Sequence, residues 1–172
     1  MTDPLAQIAF CPLCGNGELE RRRPRRDDKE RLCCPQCKYV HYVGPRLAAA
    51  AIVQDGERIC LVRRAWDPGK GLWTFPGGFV DLGEGPFDAA QREVSEETGC
   101  RAELEGVVGV YRSTGPRGVE VVLVAYHGHL TGQTDASCEE VEEVRWFHRD
   151  ELPFDEMAFE SSAQALRDFL AR

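Results

Sequence analysis

The sequence predicts a mixed α/β domain, a sheet with helices on both faces, preceded by a small domain that four cysteines build around a zinc ion. Three observations support this prediction. Two Cys-x-x-Cys pairs lie near the N-terminus, apolar strand-like runs fill much of the chain from residue 46 onwards, and a glycine-rich loop leads into a helix near the middle. We expect a zinc ribbon at residues 1–45 and the main α/β domain at residues 46–172.

The cysteine spacing predicts a structural metal site. Cys11 and Cys14 form one CxxC turn, and Cys34 and Cys37 form a second one after nineteen intervening residues. Two such turns present four thiolates, the tetrahedral ligand set that suits Zn²⁺, and paired disulfides are the alternative. Cys33 abuts Cys34 and could replace it, although the CxxC spacing favours Cys34. Because all four positions are filled by protein, we expect the zinc to stabilise the fold and to take no part in catalysis.

Composition restricts the classes of partner and compartment. The formal net charge of −8 argues against general affinity for nucleic acid or for an anionic membrane. No apolar run approaches the roughly 18 residues of a membrane span, and single cysteines far apart beside a metal site indicate a reducing compartment, so we expect a cytoplasmic protein. Several arginines lie between the two CxxC turns without aromatic residues among them, so we expect a solvated hairpin tip there and no nucleic-acid surface. They are Arg21, Arg22, Arg23, Arg25 and Arg26.

The main domain contains several strands and a C-terminal amphipathic helix. Asp55-Gly56 is typical of a two-residue hairpin turn, and Pro76-Gly77 interrupts an otherwise strand-like run. Apolar residues at helical spacing near the C-terminus predict a last helix whose apolar face includes Ala163 and Leu166. The predicted strands lie at residues 47–53, 59–63, 73–80, 103–111, 119–130 and 141–147.

A helix follows the glycine-rich loop. Pro86 suits the first helical position, and Gly99 suits the position that ends a helix. Phe87, Ala90 and Val94 recur at i, i+3 and i+7, so this stripe is expected to face the core.

Carboxylates crowd this helix and the loop before it. Glu93 and Glu97 are one turn apart on the same side, Glu96 lies nearby, and Glu84 precedes the helix. Like charges this close repel one another unless a cation neutralises them, and carboxylate oxygens are ligands that Mg²⁺ prefers. The alternative is a solvated acidic face on which Arg92 and Glu96 form an ordinary ion pair.

The whole stretch resembles the Nudix box. In that pattern a glycine, five residues, a glutamate, seven residues, Arg-Glu, an aliphatic residue, one residue, Glu-Glu, one residue, a glycine and an aliphatic residue follow one another. Cys100 stands at the last position, where a buried cysteine behaves as a small hydrophobe. Residues 71–77, residues 146–153 and the ribbon with residues 39–46 are similar to the zinc-ribbon subset of the Nudix hydrolases. The box residues that match are Gly78, Glu84, Arg92, Glu93, Val94, Glu96, Glu97 and Gly99.

The resemblance implies a Nudix-type α/β/α sandwich and hydrolysis of a pyrophosphate bond that depends on Mg²⁺ or Mn²⁺. Arg92 would orient the carboxylates by ion pairing, and Glu84 would act through water. The general base stays open between Glu93 and a loop glutamate, of which Glu140 is our candidate among Glu139, Glu140, Glu142 and Glu143. The implied metal ligands are Glu93, Glu96, Glu97 and the carbonyl group of Gly77.

The resemblance implies as substrate a nucleoside diphosphate linked to another group. Pro116, sixteen residues after the box, is similar to a pattern of ADP-ribose pyrophosphatases, and a plain Gly-Pro turn is the alternative. The C-terminal segment resembles ribbon-bearing proteins that include plant FAD pyrophosphatases, whereas the signature of NADH pyrophosphatases is absent. ADP-ribose and FAD are therefore the favoured substrates. The candidate substrate-binding residues are Gly78, Trp73, Phe79, Tyr111 and Arg112.

Two other functions share parts of this pattern. One is a housecleaning enzyme that hydrolyses damaged nucleoside triphosphates with the same catalytic residues. The other is a nucleotide-sensing regulator whose zinc ribbon contacts nucleic acid. We expect a small nucleotide as the partner, neither nucleic acid nor membrane, and the resemblance is compatible with a homodimer.

Overall fold

The computed structural model describes residues 8–25, 27–115, 118–134 and 138–172. Two compact units are present, one up to Pro45 together with Gly118 and Val119, and one that comprises the remainder from Arg46. Arg26 and Pro116, which the sequence singled out, lie outside the described residues. The first unit holds an antiparallel sheet in the order β1-β2-β3, with β1 (Glu20–Arg22), β2 (Arg31–Cys33) and β3 (Val40–His41).

The second unit is a mixed sheet between two helices. The strand order is β10-β5-β4-β9-β8, in which β4 and β9 run parallel and the other neighbours along this order run antiparallel. The predicted mixed sheet with a helix on each face is therefore confirmed. The elements are β4 (Arg46–Asp55), β5 (Arg58–Arg64), β6 (Trp73–Thr74), β7 (Gly77–Phe79), α1 (Pro86–Thr98), β8 (Cys100–Thr114), β9 (Glu120–Gln133), β10 (Val141–His148), a 3-10 turn at Phe154–Glu156, and α2 (Glu160–Leu170).

The central strand β4 is buried on both faces. Ala49 and Ala51 pack in the apolar cluster that contains α1, whereas Ala50 and Ile52 pack in the cluster that contains α2. Successive side chains of a strand point to opposite faces, so one apolar run supplies both clusters. The small alanine side chains let α1 lie close to the sheet.

The segment 73–79 forms two strands, where the sequence predicted one interrupted strand. β4 and β5 pair only next to their hairpin turn, and β6 and β7 fill the gap between them. Phe75 and Pro76 separate the two short strands. Pro76 has no N–H to donate, but its carbonyl accepts a bond of 2.9 Å from the N–H of Ala51. β7 thereby lies beside β4 at the end of the sheet where α1 packs.

The hairpin of β8 and β9 is longer than predicted. β8 begins three residues before the predicted strand and ends three after it, and register shifts occur at three places along the pair. Exposed polar residues such as Glu103 and Glu105 continue the strand because β8 is the edge of the sheet and one of its faces meets solvent. Among the described residues, no helix has the length and apolar character needed to cross a membrane.

Candidate active site and metal centre

Helix α1 sets the spacing of the box glutamates. Pro86 begins the helix, and Gly99 ends it in the left-handed conformation at φ 63°, with its N–H donating to the carbonyl of Ser95. Ala90 and Val94 are buried as predicted, together with Ala89. Phe87 departs from the prediction, since 40% of its surface is exposed. Its ring packs edge-on against Tyr126 of β9, with the ring centroids 5.6 Å apart.

Glu97 is the most deeply placed carboxylate of the box. Only 8% of its surface is exposed, and its Oε2 accepts a hydrogen bond of 2.9 Å from the backbone N–H of Gly77. Burial raises the pKa of Glu97 to about 7, the charges of Glu93 and Glu140 act in the same direction, and Arg64 acts in the opposite one. A buried carboxylate beside two others is a site that favours a cation.

Glu93 lies directly against β7. A Cβ atom added to Gly78 would lie 2.2 Å from its Oε1, so the side chain occupies the space that glycine leaves. Burial raises the pKa of Glu93, the ion pair with Arg92 lowers it, and the charges of Glu96 and Glu140 raise it further. The glycine of the box is therefore required by a close approach of a carboxylate, in addition to any contact with substrate.

Arg92 connects the carboxylates of the loop and the helix. Its guanidinium donates to both oxygens of Glu84, at 2.9 and 3.1 Å, to Glu93 at 2.8 Å and to Glu96 at 3.0 Å. It also donates to the carbonyl of Phe79 at 3.3 Å. The predicted orienting contacts are thus present, and the alternative pair with Glu96 is one part of them. Glu96 itself remains more than half exposed.

The donor set of this acidic centre fits a hard divalent cation. Its donors are carboxylate oxygens, and within the described residues the Glu97 carboxylate accepts a hydrogen bond from the backbone N–H of Gly77. The carboxylates are neighbours, but their oxygens do not converge on one ion position, because Arg92 holds Glu93 and Glu96 in ion pairs. Gly77 takes part through its N–H, and the role of its carbonyl stays a prediction. Closing these ligands around an ion requires rotation of the glutamate side chains.

Of the four candidate loop glutamates, Glu140 is the one whose charge contributes to the pKa shifts of the box carboxylates. Its charge raises the pKa of both Glu93 and Glu97. Its carbonyl accepts a hydrogen bond of 2.9 Å from the N–H of Ala65, which ties its turn to the segment after β5. Glu143 instead pairs with arginine side chains of β5 and β10. This arrangement favours Glu140 over Glu143 as the candidate base.

A cavity of about 480 Å³ lies between the end of β8 and the start of α2. The Tyr111 hydroxyl donates to Oδ2 of Asp168 at 2.8 Å, and burial, followed by this contact, raises the pKa of Tyr111 to about 12. Hydroxyl and amide groups in the wall can recognise a polar ring or a sugar. The lining residues are Tyr111, Arg112, Ser113, Thr114, Ala158, Phe159, Glu160, Ser161 and Gln164.

The other candidate substrate residues are not gathered at this cavity. Trp73 is 3% exposed and packs in the core with Phe147, so it presents no free ring face to a substrate and its candidate role in substrate binding is corrected. Phe79 is 48% exposed and lies under the guanidinium of Arg46. Gly78 lies beneath the Glu93 carboxylate. Only Tyr111 and Arg112 of the five line the cavity.

Sequence reasoning missed Arg64. Its guanidinium lies over the ring of Phe159, 5.3 Å from the centroid, and Phe159 lines the cavity. The charge of Arg64 also lowers the pKa of Glu97. A hydrogen bond of 2.7 Å from its Nε to the carbonyl of Pro68 holds the side chain in place. Arg64 therefore contacts the cavity wall and also acts on the acidic centre. In the sequence, the only indication of such a role was the pair of arginines, Arg63 and Arg64, at the end of the apolar strand β5.

The first unit contains a four-cysteine metal centre. Among the described residues, Cys11, Cys14, Cys34 and Cys37 are the only group of three or more potential ligands whose donor atoms all lie within 4.8 Å of one another. Sγ of Cys11 is 3.5 Å from that of Cys37, and Sγ of Cys14 is 3.6 Å from that of Cys34. Tetrahedral zinc with bonds of about 2.3 Å places its sulfurs slightly less than 4 Å apart. The set therefore fits Zn²⁺.

Cys34, and not Cys33, belongs to this centre. The Cys33 thiol is buried and points to the carbonyl of Arg31 at 3.7 Å. Backbone N–H groups of Cys37 and Gln36 hydrogen-bond to Cys34 and lower its pKa to about 6, as suits a thiolate ligand. All eight cysteines are free of disulfides.

Comparisons with known proteins agree with this geometry. The NUDIX domain model matches residues 44–169, and the model described as Nudix N-terminal, a zinc ribbon, matches residues 9–43. The ADP-ribose pyrophosphatase of Methanocaldococcus jannaschii is 32% identical over 135 residues, which cover 77% of this chain and 78% of that protein. A NUDIX hydrolase from Nitrosomonas europaea has a crystal structure that matches with a TM-score of 0.81 and 30% identity, over 95% of this chain and 91% of that one.

A further relative is much longer than this chain. The human NAD-capped RNA hydrolase NUDT12 is 30% identical over 156 residues, which cover 86% of this chain but only 32% of that protein. The fold, the box and these matches define the class as a hydrolase with a mixed α/β sandwich and a zinc ribbon. The chain belongs to the Nudix hydrolase family. The resemblance that the box and the ribbon suggested is thereby confirmed.

Substitution of the two adjacent cysteines of the ribbon, Cys33 and Cys34, should affect zinc binding differently. We expect Cys34→Ser to lose bound zinc, because it removes one of four thiolates, and Cys33→Ser to keep one zinc per chain. Metal content of the purified proteins, measured by atomic emission, checks this expectation. Zinc retained by Cys34→Ser and lost by Cys33→Ser would reverse our assignment.

Neighbouring glycines in β7 should respond differently to alanine. A Cβ at Gly78 meets only the movable end of Glu93, so Gly78→Ala should displace that carboxylate and lower turnover at least about 10-fold with little loss of stability. A Cβ at Gly77 would lie 2.6 Å from Cα of Ala50, so Gly77→Ala should cost about 1–3 kcal/mol of unfolding free energy. Turnover and urea denaturation of both variants test the pair. Equal destabilisation would contradict the geometry.

Stability should depend on pH through Glu97. Its pKa rises from 4.5 to about 7 on folding, so the folded state binds the proton more tightly than the unfolded state. Without added divalent ions, the unfolding free energy should therefore fall as pH rises from 4.5 to 7, by roughly 3 kcal/mol at most. Glu97→Gln should flatten this slope, as should excess Mg²⁺. Denaturation curves recorded across this pH range measure the effect. If the unfolding free energy of Glu97→Gln fell with pH as steeply as that of the wild-type protein, the raised pKa would not belong to Glu97.

Proposed function

We propose that this Nudix hydrolase cleaves the pyrophosphate linkage of a nucleoside diphosphate joined to a second group, with ADP-ribose and FAD as the leading substrates. The observation that carries the proposal is the buried carboxylate of Glu97, held by the Gly77 N–H beside Glu93. The charges of Glu93, Glu97 and Glu140 act on one another here, and the pKa values of Glu93 and Glu97 stay raised despite the opposing charges of Arg92 and Arg64. Such a centre is suited to divalent cations that bind phosphate oxygens.

The metal ligands would be Glu93, Glu96 and Glu97, with Mg²⁺ or Mn²⁺ as the ion. When bound, the ion neutralises the diphosphate oxygens and lowers the pKa of a coordinated water. Arg92 positions the carboxylates, and its bond to the Phe79 carbonyl fixes the loop before the helix. Glu140 is the proposed base, because it lies close enough to act electrostatically on two of the ligands. Its task would be to accept the proton of the attacking water.

The cavity beside α2 supplies the recognition of the nucleoside. Arg64 lies between this cavity and the acidic centre, where the negative phosphates of a bound substrate would pass. Arginine is suited to such phosphates because its planar guanidinium offers several donors. The ADP-ribose pyrophosphatase of M. jannaschii, 32% identical over 77% of this chain, supports ADP-ribose by similarity. FAD is proposed as a substrate because the C-terminal segment resembles that of ribbon-bearing proteins that include plant FAD pyrophosphatases.

The remaining assignments rest on the chemistry of the cysteines. We infer that the ribbon holds a structural Zn²⁺, since its four thiolates leave no position for a reacting water. Eight free cysteines and a thiolate metal centre suit a reducing compartment, so we propose a cytoplasmic location. A small nucleotide is the proposed partner, and a homodimer stays a prediction.

A substrate panel with one variant tests the proposal. We expect wild-type protein with Mg²⁺ or Mn²⁺ to release AMP from ADP-ribose or FAD, and Glu97→Gln to reduce turnover by roughly 100-fold or more because it removes a charged ligand. Glu103→Gln, which changes an exposed glutamate of β8, is the matched control and should keep its activity. Release of pyrophosphate from nucleoside triphosphates alone would favour the housecleaning alternative. Wild-type rates in Glu97→Gln would reject the acidic centre.

A further inference from the structure

An exposed tryptophan lies beside the acidic centre and has no role in the site described so far. Trp66 follows β5 and is 60% exposed, although tryptophan side chains are highly buried on average. Its Nε1–H donates to the carbonyl of Glu139 at 3.1 Å, which fixes the indole to the turn that carries Glu140. The polar edge of the ring is therefore bound, while much of its apolar surface is left in water.

The loop that carries Trp66 is ordered by its own backbone. The N–H of Gly71 donates to the carbonyl of Arg64 at 2.8 Å, and the N–H of Leu72 donates to that of Gly69 at 3.0 Å. Nε of Arg63 donates to the carbonyl of Gly71 at 2.8 Å. A held loop presents its aromatic ring at lower entropic cost on binding than a mobile one.

The same loop touches both parts of the site. A Cβ at Gly69 would lie 2.9 Å from that of Ala158, so the loop packs on the wall of the cavity. At its other end, Ala65 and Trp66 bond to the turn at Glu139 and Glu140. The cavity, Arg64 and Trp66 thus follow one another along a single segment that borders the acidic centre.

We propose that Trp66 is a specificity-determining residue that stacks on a planar aromatic ring at the far end of the substrate, on the opposite side of the diphosphate from the nucleoside in the cavity. This inference rests on the proposed function and narrows its substrate class. A ring-bearing second group, such as the flavin of FAD or another heteroaromatic nucleotide, gains this contact. The terminal ribose of ADP-ribose has no such ring and does not.

The test compares two substrates that share adenosine diphosphate. Trp66→Ala should lower the ratio of kcat/KM for FAD to kcat/KM for ADP-ribose by about 5- to 100-fold, the effect of losing one stacked ring, whereas the loss of the Nε1–H bond acts on both substrates alike. Trp66→Phe keeps a ring but loses the Nε1–H bond, so it should retain most of the FAD activity. Leu72→Ala, a change at another exposed apolar residue of the same loop, is the control and should leave the ratio of the two substrates unchanged.

Binding of FMN supplies a readout that is independent of turnover. Flavin fluorescence should be quenched on titration with wild-type protein, because a stacked indole ring quenches flavin emission by electron transfer, and much less with Trp66→Ala. Equal losses for FAD and ADP-ribose, or no loss for either, would overturn the stacking role. If the wild-type protein cleaves diphosphate compounds but the ratio does not move, only this inference fails. If it cleaves none of them, the proposed function fails as well.

Discussion

The hydrogen bond between the Gly77 N–H and the Glu97 carboxylate is the contact on which the acidic centre depends. It exists because Phe75 and Pro76 separate β6 from β7 and β7 pairs with β4, which brings two glycines under the C-terminal half of α1. At the helix end, Gly99 stops α1 within two residues of Glu97. A shift of either element would leave a buried carboxylate without its donor, at a cost of about 1–3 kcal/mol or more.

Negative charge exceeds positive charge around this hydrogen bond. Arg92 is paired with Glu84, Glu93 and Glu96, so one guanidinium faces three carboxylates, and Glu97 is not one of these three partners. In the absence of a divalent ion, Arg92 keeps the mutually repelling groups in place, and burial raises the pKa of Glu97 towards neutrality. A cation that binds the glutamates must compete with Arg92 for Glu93 and Glu96. We therefore expect the arginine of the box to hold these carboxylates in place and to set how strongly they bind a metal ion.

Sequence patterns predicted what depends on local chemistry. Pro86 and Gly99 bounded α1 correctly, and the CxxC spacing selected Cys34 over Cys33. Burial of individual aromatic residues was not predictable, because it is decided by partners far along the chain. Trp73 was a substrate-binding candidate, yet Phe147 and the neighbouring core enclose it.

Arg64 escaped notice for the same reason. An arginine at the end of an apolar strand is typical of a solvated strand terminus, and its aromatic neighbour Phe159 belongs to the segment before α2. Its meaning appears only when β5 and the start of α2 are adjacent in space.

The proposed metal centre and the proposed substrate cavity occupy parts of the domain that differ in their tolerance to change. Ala49 and Ala51 are fully buried beneath α1, so larger residues there would push the helix and its glutamates away from β7. The cavity is instead lined by strand ends and the first turn of α2, where Arg112, Thr114 and Gln164 are exposed and belong to neither core cluster. Substitutions at these positions can alter the recognised group while the acidic centre keeps its geometry. One constant diphosphate-cleaving centre can therefore serve substrates that differ in everything beyond the diphosphate.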